Sequence, residues 1–112
     1  MSFYMTVKEQ ITNLVSKHPI MLFMKGIPAQ PQCGFSARVV QILDFLKVKY
    51  HSFDVLSNEN IRQGIKEYGN WPTIPQLYVN KELLGGCDIV QEMFQSGELE
   101  KSLSSFIEKS TK

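Results

Sequence analysis

The stretch IMLFMKGIPAQPQCGFS, which spans residues 20–36, decides the fold. Residues 20–24 are all apolar, a pattern typical of a short strand that is buried on both faces. Residues 26–32 contain two prolines and predict a loop without regular structure. From Cys33 onward, apolar residues recur at helical intervals as far as about Lys47. The stretch therefore predicts a buried strand, a loop, and a helix that begins near Cys33.

The segments on either side continue this alternation of helices and strands. Thr6 and Glu9 have the spacing of a capping box for a first helix, which His18 and Pro19 end. A strand is predicted over residues 50–55, followed by a helix that Ser57 or Asn58 caps and that Gly69 and Asn70 end. Strands over residues 76–79 and 82–84 are joined by a turn. A helix capped by Asp88 and a last helix over residues 99–107 complete the chain. A βαβ unit followed by a hairpin predicts an α/β fold, with a four-stranded mixed sheet flanked by helices.

Composition and charge narrow the class of protein. The 112 residues are 43% hydrophobic and 21% charged, which fits one globular domain over residues 1–112. A net charge of +1 is too small to indicate electrostatic binding to nucleic acid or to an anionic membrane. No apolar run approaches the length of a membrane span. The N-terminus has no secretory pattern, and two cysteines do not make a disulfide scaffold. We expect a reducing, cytoplasmic location, although a trimmed organelle-matrix protein would look the same.

Cys33 is the candidate catalytic thiol. At a helix N-terminus, unpaired N–H groups and the helix dipole favour the thiolate, the form that attacks disulfides and binds metals. Lys25, at the end of the preceding strand, adds a positive charge. A buried structural cysteine fits poorly, because the neighbours of Cys33 are Pro, Gln, Gly and Ser. Ser36 stands where a Cys-x-x-Cys site has its second thiol. Either another thiol resolves any mixed disulfide on Cys33, or this sulfur does something other than dithiol exchange.

Three motifs together resemble the monothiol glutaredoxin family: Cys33-Gly34-Phe35-Ser36, Trp71-Pro72-Thr73-Ile74-Pro75 and Gly85-Gly86-Cys87-Asp88. The first alone would be a weak match, but the three in this order are specific, and the likeness runs from about Thr6 to Phe106. The resemblance implies a thioredoxin fold, glutathione binding, and a 2Fe–2S cluster shared by a homodimer. In such a dimer, each Cys33 and each of two glutathiones supply one thiolate, which meets the demand for four.

The resemblance also implies roles for individual residues. A cis bond before Pro75 would turn the Ile74 backbone toward the cysteinyl part of glutathione, whereas the alternative is a plain loop proline. The N–H groups of Cys87 and Asp88 would hold the γ-glutamyl carboxylate, and the Asp88 carboxylate the amino group. Asp88 is alternatively only a helix cap, or both. Lys25 and Arg62 are candidates for the glycyl carboxylate, although Arg62 by itself reads as a surface charge.

Some residues carry weaker predictions. Gln63 and Lys66 are further candidates for the glycyl carboxylate. The Cys87 thiol is a packing group, a weak second thiol or a partner for Cys33, and we favour its backbone as the binding element. His18 and His51 show no metal-ligand spacing and are interpreted as structural or surface groups.

Two functions use the same residues. One is a carrier that assembles, stores or transfers a 2Fe–2S cluster, with apo iron–sulfur proteins or cluster-assembly proteins as partners. The other is glutathione-dependent reduction of mixed disulfides, expected to be weak. Seven residues separate Lys25 from Cys33, longer than in dithiol glutaredoxins, and this loop favours the carrier. A regulatory adaptor that binds a partner through the cluster face stays open as a third interpretation.

Overall fold

A computed structural model, which describes residues 5–107, has a mixed four-stranded sheet with helices on both faces. The helices are α1 (Val7–Lys17), α2 (Gly34–Phe45), α3 (Glu59–Tyr68), α4 (Cys87–Ser96) and α5 (Glu98–Ser102). The strands are β1 (Ile20–Met24), β2 (Gly26–Ile27), β3 (Gln30–Pro31), β4 (His51–Asp54), β5 (Gln76–Val79) and β6 (Glu82–Gly85). The main sheet has the order β4-β1-β5-β6, with β1 parallel to β4 and antiparallel to β5, and β6 antiparallel to β5. The predicted fold class is confirmed.

Strand β1 lies at the centre of the protein, because both of its faces are covered. Leu22 and Met24 pack into a cluster formed with α2, α4 and α5, whereas Met21 and Phe23 pack into a second cluster with α1 and α3. All five residues of β1 are buried, as the uninterrupted apolar run predicts. Each fully buried apolar side chain contributes about 1.5–3 kcal/mol relative to exposure, so this strand fixes the two helical layers against each other.

Two predicted helix caps are confirmed. The Thr6 hydroxyl accepts from the Glu9 N–H at 3.0 Å, and the Glu9 carboxylate accepts from the Thr6 N–H at 2.9 Å, which is the reciprocal capping box. Asn58 caps α3 through its side-chain oxygen, which accepts from the Ile61 N–H at 3.1 Å. The alternative cap, Ser57, instead donates its hydroxyl to the Asp54 carbonyl at 2.7 Å.

Other boundaries differ from the predictions. Helix α2 ends at Phe45, and Lys47 has a left-handed φ of 60°. The predicted last helix is divided into α5 and a 3₁₀ turn over Ser104–Phe106. Residues 26–32 are not a plain loop, because β2 and β3 pair there as a small hairpin. Each of these strands has only two residues, which is too short for a period-2 pattern to be recognised in the sequence.

The prediction that Asp88 caps α4 is wrong. Gly86 is the N-cap residue, and its carbonyl accepts from the Val90 N–H at 3.0 Å, so Asp88 lies within the first turn. Two successive glycines allow the chain to turn into the helix two residues earlier than a cap at Asp88 would. A carboxylate in the first turn still interacts favourably with the helix dipole.

The two histidines lie against each other. The rings of His18 and His51 stack with centroids 3.7 Å apart, which agrees with a structural interpretation. Within residues 5–107, no helix is both long enough and apolar enough to cross a membrane.

Candidate functional site

The three sequence motifs meet in one open cleft of about 540 Å³. Five of the six predicted site residues line it: Lys25, Cys33, Ile74, Cys87 and Asp88. The cleft is completed by Phe35, Lys66, Trp71, Pro72, Thr73, Pro75, Gly86 and Ile89. The fold thus brings together the end of β1, the start of α2, the turn before β5 and the start of α4.

Cys33 is the N-cap residue of α2, in an extended conformation and only partly buried. Burial acts to raise the pKa of its thiol. The backbone N–H groups of Ser36 and Phe35, the charge of Lys25 and the Ser36 hydroxyl act in the opposite direction, and the resulting pKa lies below the ordinary value. Free N–H groups at a helix start stabilise a thiolate in this way. The helix terminus therefore has the effect on Cys33 that its sequence position predicts.

The hairpin of β2 and β3 sets the distance between Lys25 and Cys33. The Lys25 carbonyl accepts from the Gln32 N–H at 2.9 Å, which closes the hairpin at its base. Gly26 has a φ of 90°, and a Cβ there would lie 2.7 Å from the Gln30 carbonyl oxygen, so the position requires glycine. The seven-residue segment between Lys25 and Cys33 is consequently a defined structure that returns the chain to the cleft.

Asp54 holds this hairpin and was not predicted from the sequence. Its Oδ1 accepts from the Gly26 N–H at 2.8 Å and from the Leu56 N–H at 2.9 Å. The second contact is local and is the Asx-type pattern that an aspartate at a strand end favours. The first contact joins residues 28 positions apart. No local signal in the sequence indicates such a contact.

The buried side chain of Gln76 stabilises the turn over residues 71–75. The sequence did not indicate this role for Gln76. The Ile74–Pro75 peptide bond is cis. The Gln76 side chain is fully buried, and its Nε2 donates to the Trp71 carbonyl at 3.0 Å and to the Thr73 carbonyl at 3.2 Å. A buried amide with all these bonds fixes the turn that faces Cys33 across the cleft. The available signal is a polar residue at the start of an otherwise apolar strand.

Glycines allow the last motif to pass close to that turn. A Cβ on Gly86 would lie 3.1 Å from both the Pro75 carbonyl oxygen and the Trp71 Nε1. Just beyond Gly86, the N–H groups of Cys87 and Asp88 occupy the first turn of α4, where backbone donors have no intrahelical partner. The arrangement offers donors and a positive dipole end to an anion in the cleft.

Cys87 shares the cleft with Cys33, but its environment has the opposite effect. Its side chain is buried, and burial raises the pKa of the thiol. The charges of Asp88 and Cys33 raise the pKa further, and Arg38 only partly opposes them. The two thiols therefore differ in the direction of their pKa shifts.

Arg62 is the one predicted site residue that does not line the cleft. Its Nη1 lies 3.6 Å from Oε1 of Glu59, and its Nε is buried without a hydrogen-bond partner. Lys66, one turn later on α3, lines the cleft instead. Gln63 points elsewhere and donates to Glu59 at 2.8 Å. The structure thus places the weaker of the predicted cations on α3 at the cleft, and the binding role of Arg62 stays a prediction.

We expect Cys33 to alkylate faster than Cys87 near neutral pH. The pKa of Cys33 is lowered and its side chain is accessible, whereas the pKa of Cys87 is raised and its side chain is buried. Brief treatment with iodoacetamide, followed by peptide mass spectrometry, measures both thiols in one sample. If Cys87 is modified before Cys33, Cys33 is not the more reactive thiol and its assignment as the nucleophile is wrong.

Comparison of the sequence with known proteins finds relatives among the glutaredoxins. The sequence pattern of the glutaredoxin family matches residues 20–84. The uncharacterized monothiol glutaredoxin ycf64-like of Synechocystis sp. is 55% identical over 96 residues, which cover 86% of this chain and 90% of that protein. Glutaredoxin 3 of Danio rerio is 53% identical over 96 residues, and the matched region covers 86% of this chain but 29% of that protein. The chain therefore spans less than a third of the length of this second relative.

Solved structures agree with the fold. The solution structure of reduced poplar apo GrxS14 is 48% identical and superposes with a TM-score of 0.77, covering 88% of this chain and 91% of that one. The solution structure of a monomeric truncated mutant of Trypanosoma brucei 1-C-Grx1 is 40% identical, with a TM-score of 0.80 and coverage of 92% and 93%.

Proposed function

The chain belongs to the monothiol glutaredoxin family, a family that uses glutathione, and from this membership we propose that it binds glutathione around Cys33 and holds a 2Fe–2S cluster as cargo. The observation that carries the proposal is the pairing of a single activated thiol, Cys33, with a cleft whose charges complement glutathione. The cluster would be assembled, stored or passed on to apo iron–sulfur proteins or cluster-assembly proteins. We propose the cytoplasm as the location.

The cleft offers a binding partner for each charged group of glutathione. Glutathione carries two carboxylates, one ammonium group and one thiol. Lys25 and Lys66 would pair with the glycyl carboxylate, with Arg62 as a further candidate on α3. The N–H groups of Cys87 and Asp88 would hold the γ-glutamyl carboxylate, and the Asp88 carboxylate the ammonium group. The Ile74 backbone would pair with the cysteinyl residue in the manner of an added strand.

One chain by itself does not fit a cluster. Among residues 5–107, no group of three or more His, Cys, Asp or Glu side chains is placed to hold a metal ion. A 2Fe–2S cluster requires four ligands, most often thiolates, and the pKa shifts favour the thiolate in Cys33 alone. Two chains and two glutathiones would close the set. Phe35, next but one to Cys33, has a side chain that is 64% exposed and would lie beside a second subunit.

The second candidate function is reduction of glutathione mixed disulfides, favoured by the lowered pKa of Cys33. The Cys33 thiolate would attack the glutathione sulfur, so the disulfide bond breaks and the substrate leaves as a thiolate. A second glutathione thiolate would then attack the Cys33 mixed disulfide, release glutathione disulfide and restore Cys33. Ser36 has no sulfur to resolve the intermediate internally. Because the long loop between Lys25 and Cys33 would also misplace glutathione for the attack, we expect this reaction to be slow.

Anaerobic reconstitution separates the two functions. Protein incubated with iron, sulfide and glutathione is expected to turn brown, with thiolate-to-iron charge-transfer absorption, and to elute as a dimer. The same preparation is then assayed, in its apo form, for glutathione-dependent reduction of a small mixed disulfide. A colourless monomer that reduces the disulfide rapidly would favour the enzyme over the carrier.

A further inference from the structure

The buried amide of Gln76 has a hydrogen-bond partner at each of its two ends. Its Nε2 donates to the Trp71 carbonyl at 3.0 Å and to the Thr73 carbonyl at 3.2 Å, so both amide protons are used. Its Oε1 accepts from the Tyr78 hydroxyl at 2.9 Å. The nitrogen end thus faces the turn over residues 71–75, and the oxygen end faces Tyr78.

The Tyr78 hydroxyl favours this orientation of the Gln76 amide. An amide rotated by 180° would place Oε1 against the two turn carbonyls, which are acceptors and have no proton to give. In the observed orientation, the Tyr78 hydroxyl donates to Oε1. Without that hydroxyl, the buried Oε1 would lose the partner that the structure gives it, and an unsatisfied buried acceptor is costly.

Close packing at the end of α3 holds the Tyr78 hydroxyl in place. A Cβ added to Gly69, the C-cap residue of α3, would collide with the hydroxyl oxygen and would lie 2.9 Å from Gln76 Oε1. The Tyr78 side chain is buried, and its ring packs edge-on against Phe23 with centroids 5.6 Å apart. The hydroxyl is therefore confined between the end of a helix and the amide that it contacts.

The backbone that Gln76 holds belongs to the cleft. Trp71, Thr73 and Ile74 all line it. The Trp71 N–H also donates to the Lys66 carbonyl at 3.0 Å, which ties the turn to the helix whose Lys66 side chain lines the cleft. A turn that is fixed before a ligand arrives loses less conformational freedom on binding.

We propose that Tyr78 is a positioning residue for glutathione. Its hydroxyl orients the Gln76 amide, and the amide fixes the turn that presents the Ile74 backbone to the ligand. Tyr78 is buried in the core and does not line the cleft, so it acts only through Gln76. The inference rests on the proposed binding of glutathione in this cleft, and it adds a residue outside the cleft that sets the affinity.

Tyr78→Phe removes the hydroxyl and retains the ring that packs in the core. Calorimetry with reduced glutathione is expected to show a dissociation constant raised about fivefold, the effect of losing one hydrogen bond of ordinary strength. In the free variant, the two side-chain amide protons of Gln76 are expected to exchange with solvent faster than in the wild type, as measured by NMR.

Two further variants show whether Tyr78 acts through Gln76. Gln76→Met removes the amide and should itself weaken binding, and adding Tyr78→Phe to it should then cause no further loss. Tyr50→Phe is a matched control, because Tyr50 packs against the cluster on the other face of β1 and does not line the cleft. It should leave the affinity unchanged. Thermal unfolding verifies that each variant is folded.

The outcomes separate this inference from the proposed function. If the wild type binds glutathione and Tyr78→Phe binds it equally well, the inference is wrong. An equal loss from Tyr78→Phe in the wild-type and Gln76→Met backgrounds would also contradict it, because the hydroxyl would then act by another route. If the wild type binds no glutathione, the proposed function fails and the positioning role fails with it, although faster exchange of the Gln76 protons in free Tyr78→Phe would still establish that the hydroxyl holds the amide.

Discussion

Cys33→Ser is expected to abolish cluster loading completely, whereas Cys87→Ser is expected to keep most of it. Serine supplies no thiolate, and a 2Fe–2S cluster with one ligand missing from each chain is left with half of its set. Cys87 has a raised pKa and a buried side chain, so it is a poor replacement. Visible absorption and iron content after anaerobic reconstitution measure the effect.

The two variants serve as controls for each other. Each removes one sulfur from the same cleft by the same substitution, so a difference between them assigns the ligand. Thermal unfolding of both apo proteins shows whether the fold is intact. Loss of colour in Cys87→Ser with retention in Cys33→Ser would transfer the ligand role to Cys87.

Lys25→Ala and Asp88→Ala are each expected to weaken glutathione binding by about 1.5–3 kcal/mol. Lys25 would lose a charged contact to the glycyl carboxylate, and Asp88 the contact to the ammonium group. Isothermal titration calorimetry with reduced glutathione measures the affinity directly. Lys17→Ala is a matched control, because Lys17 lies in the last turn of α1 and does not line the cleft.

The same calorimetric experiment on Lys66 and Arg62, the two basic residues considered on α3, shows which of them binds glutathione. Lys66 lines the cleft and Arg62 does not, so Lys66→Ala should weaken binding more than Arg62→Ala. The reverse order would restore the choice of Arg62 that the family resemblance suggests. Unchanged affinity in Lys25→Ala, Asp88→Ala and Lys66→Ala together would contradict the proposed binding mode.

Much of the fold was predictable because its signals are local. The apolar run of β1 predicts burial on both faces, and the Thr6–Glu9 spacing predicts a capping box that the structure contains. The prediction of a helix cap at Asp88 failed because the local signals there are ambiguous. The residues Gly86 and Asp88 both suit a helix start, and the close passage of Gly86 against the Pro75 carbonyl oxygen decides between them. That passage is a tertiary contact.

The site was predictable only where residue type dictates chemistry. A cysteine at a helix start indicates a thiolate wherever the rest of the chain goes. Arg62 and Lys66 are both basic and one turn apart, so only the packing of α3 determines which one reaches the cleft. The contact from Asp54 to Gly26 and the bonds from Gln76 to the turn before it depend on the folded backbone.

The most direct test of the central claim is native mass spectrometry of the brown species before and after glutathione is removed. The shared-ligand account predicts a complex of two chains, two glutathiones and one 2Fe–2S cluster. After removal of glutathione by desalting under argon, it predicts apo monomer and loss of the charge-transfer absorption. A cluster that remains bound when no glutathione mass is left would contradict the account, because the chain would then supply every ligand itself.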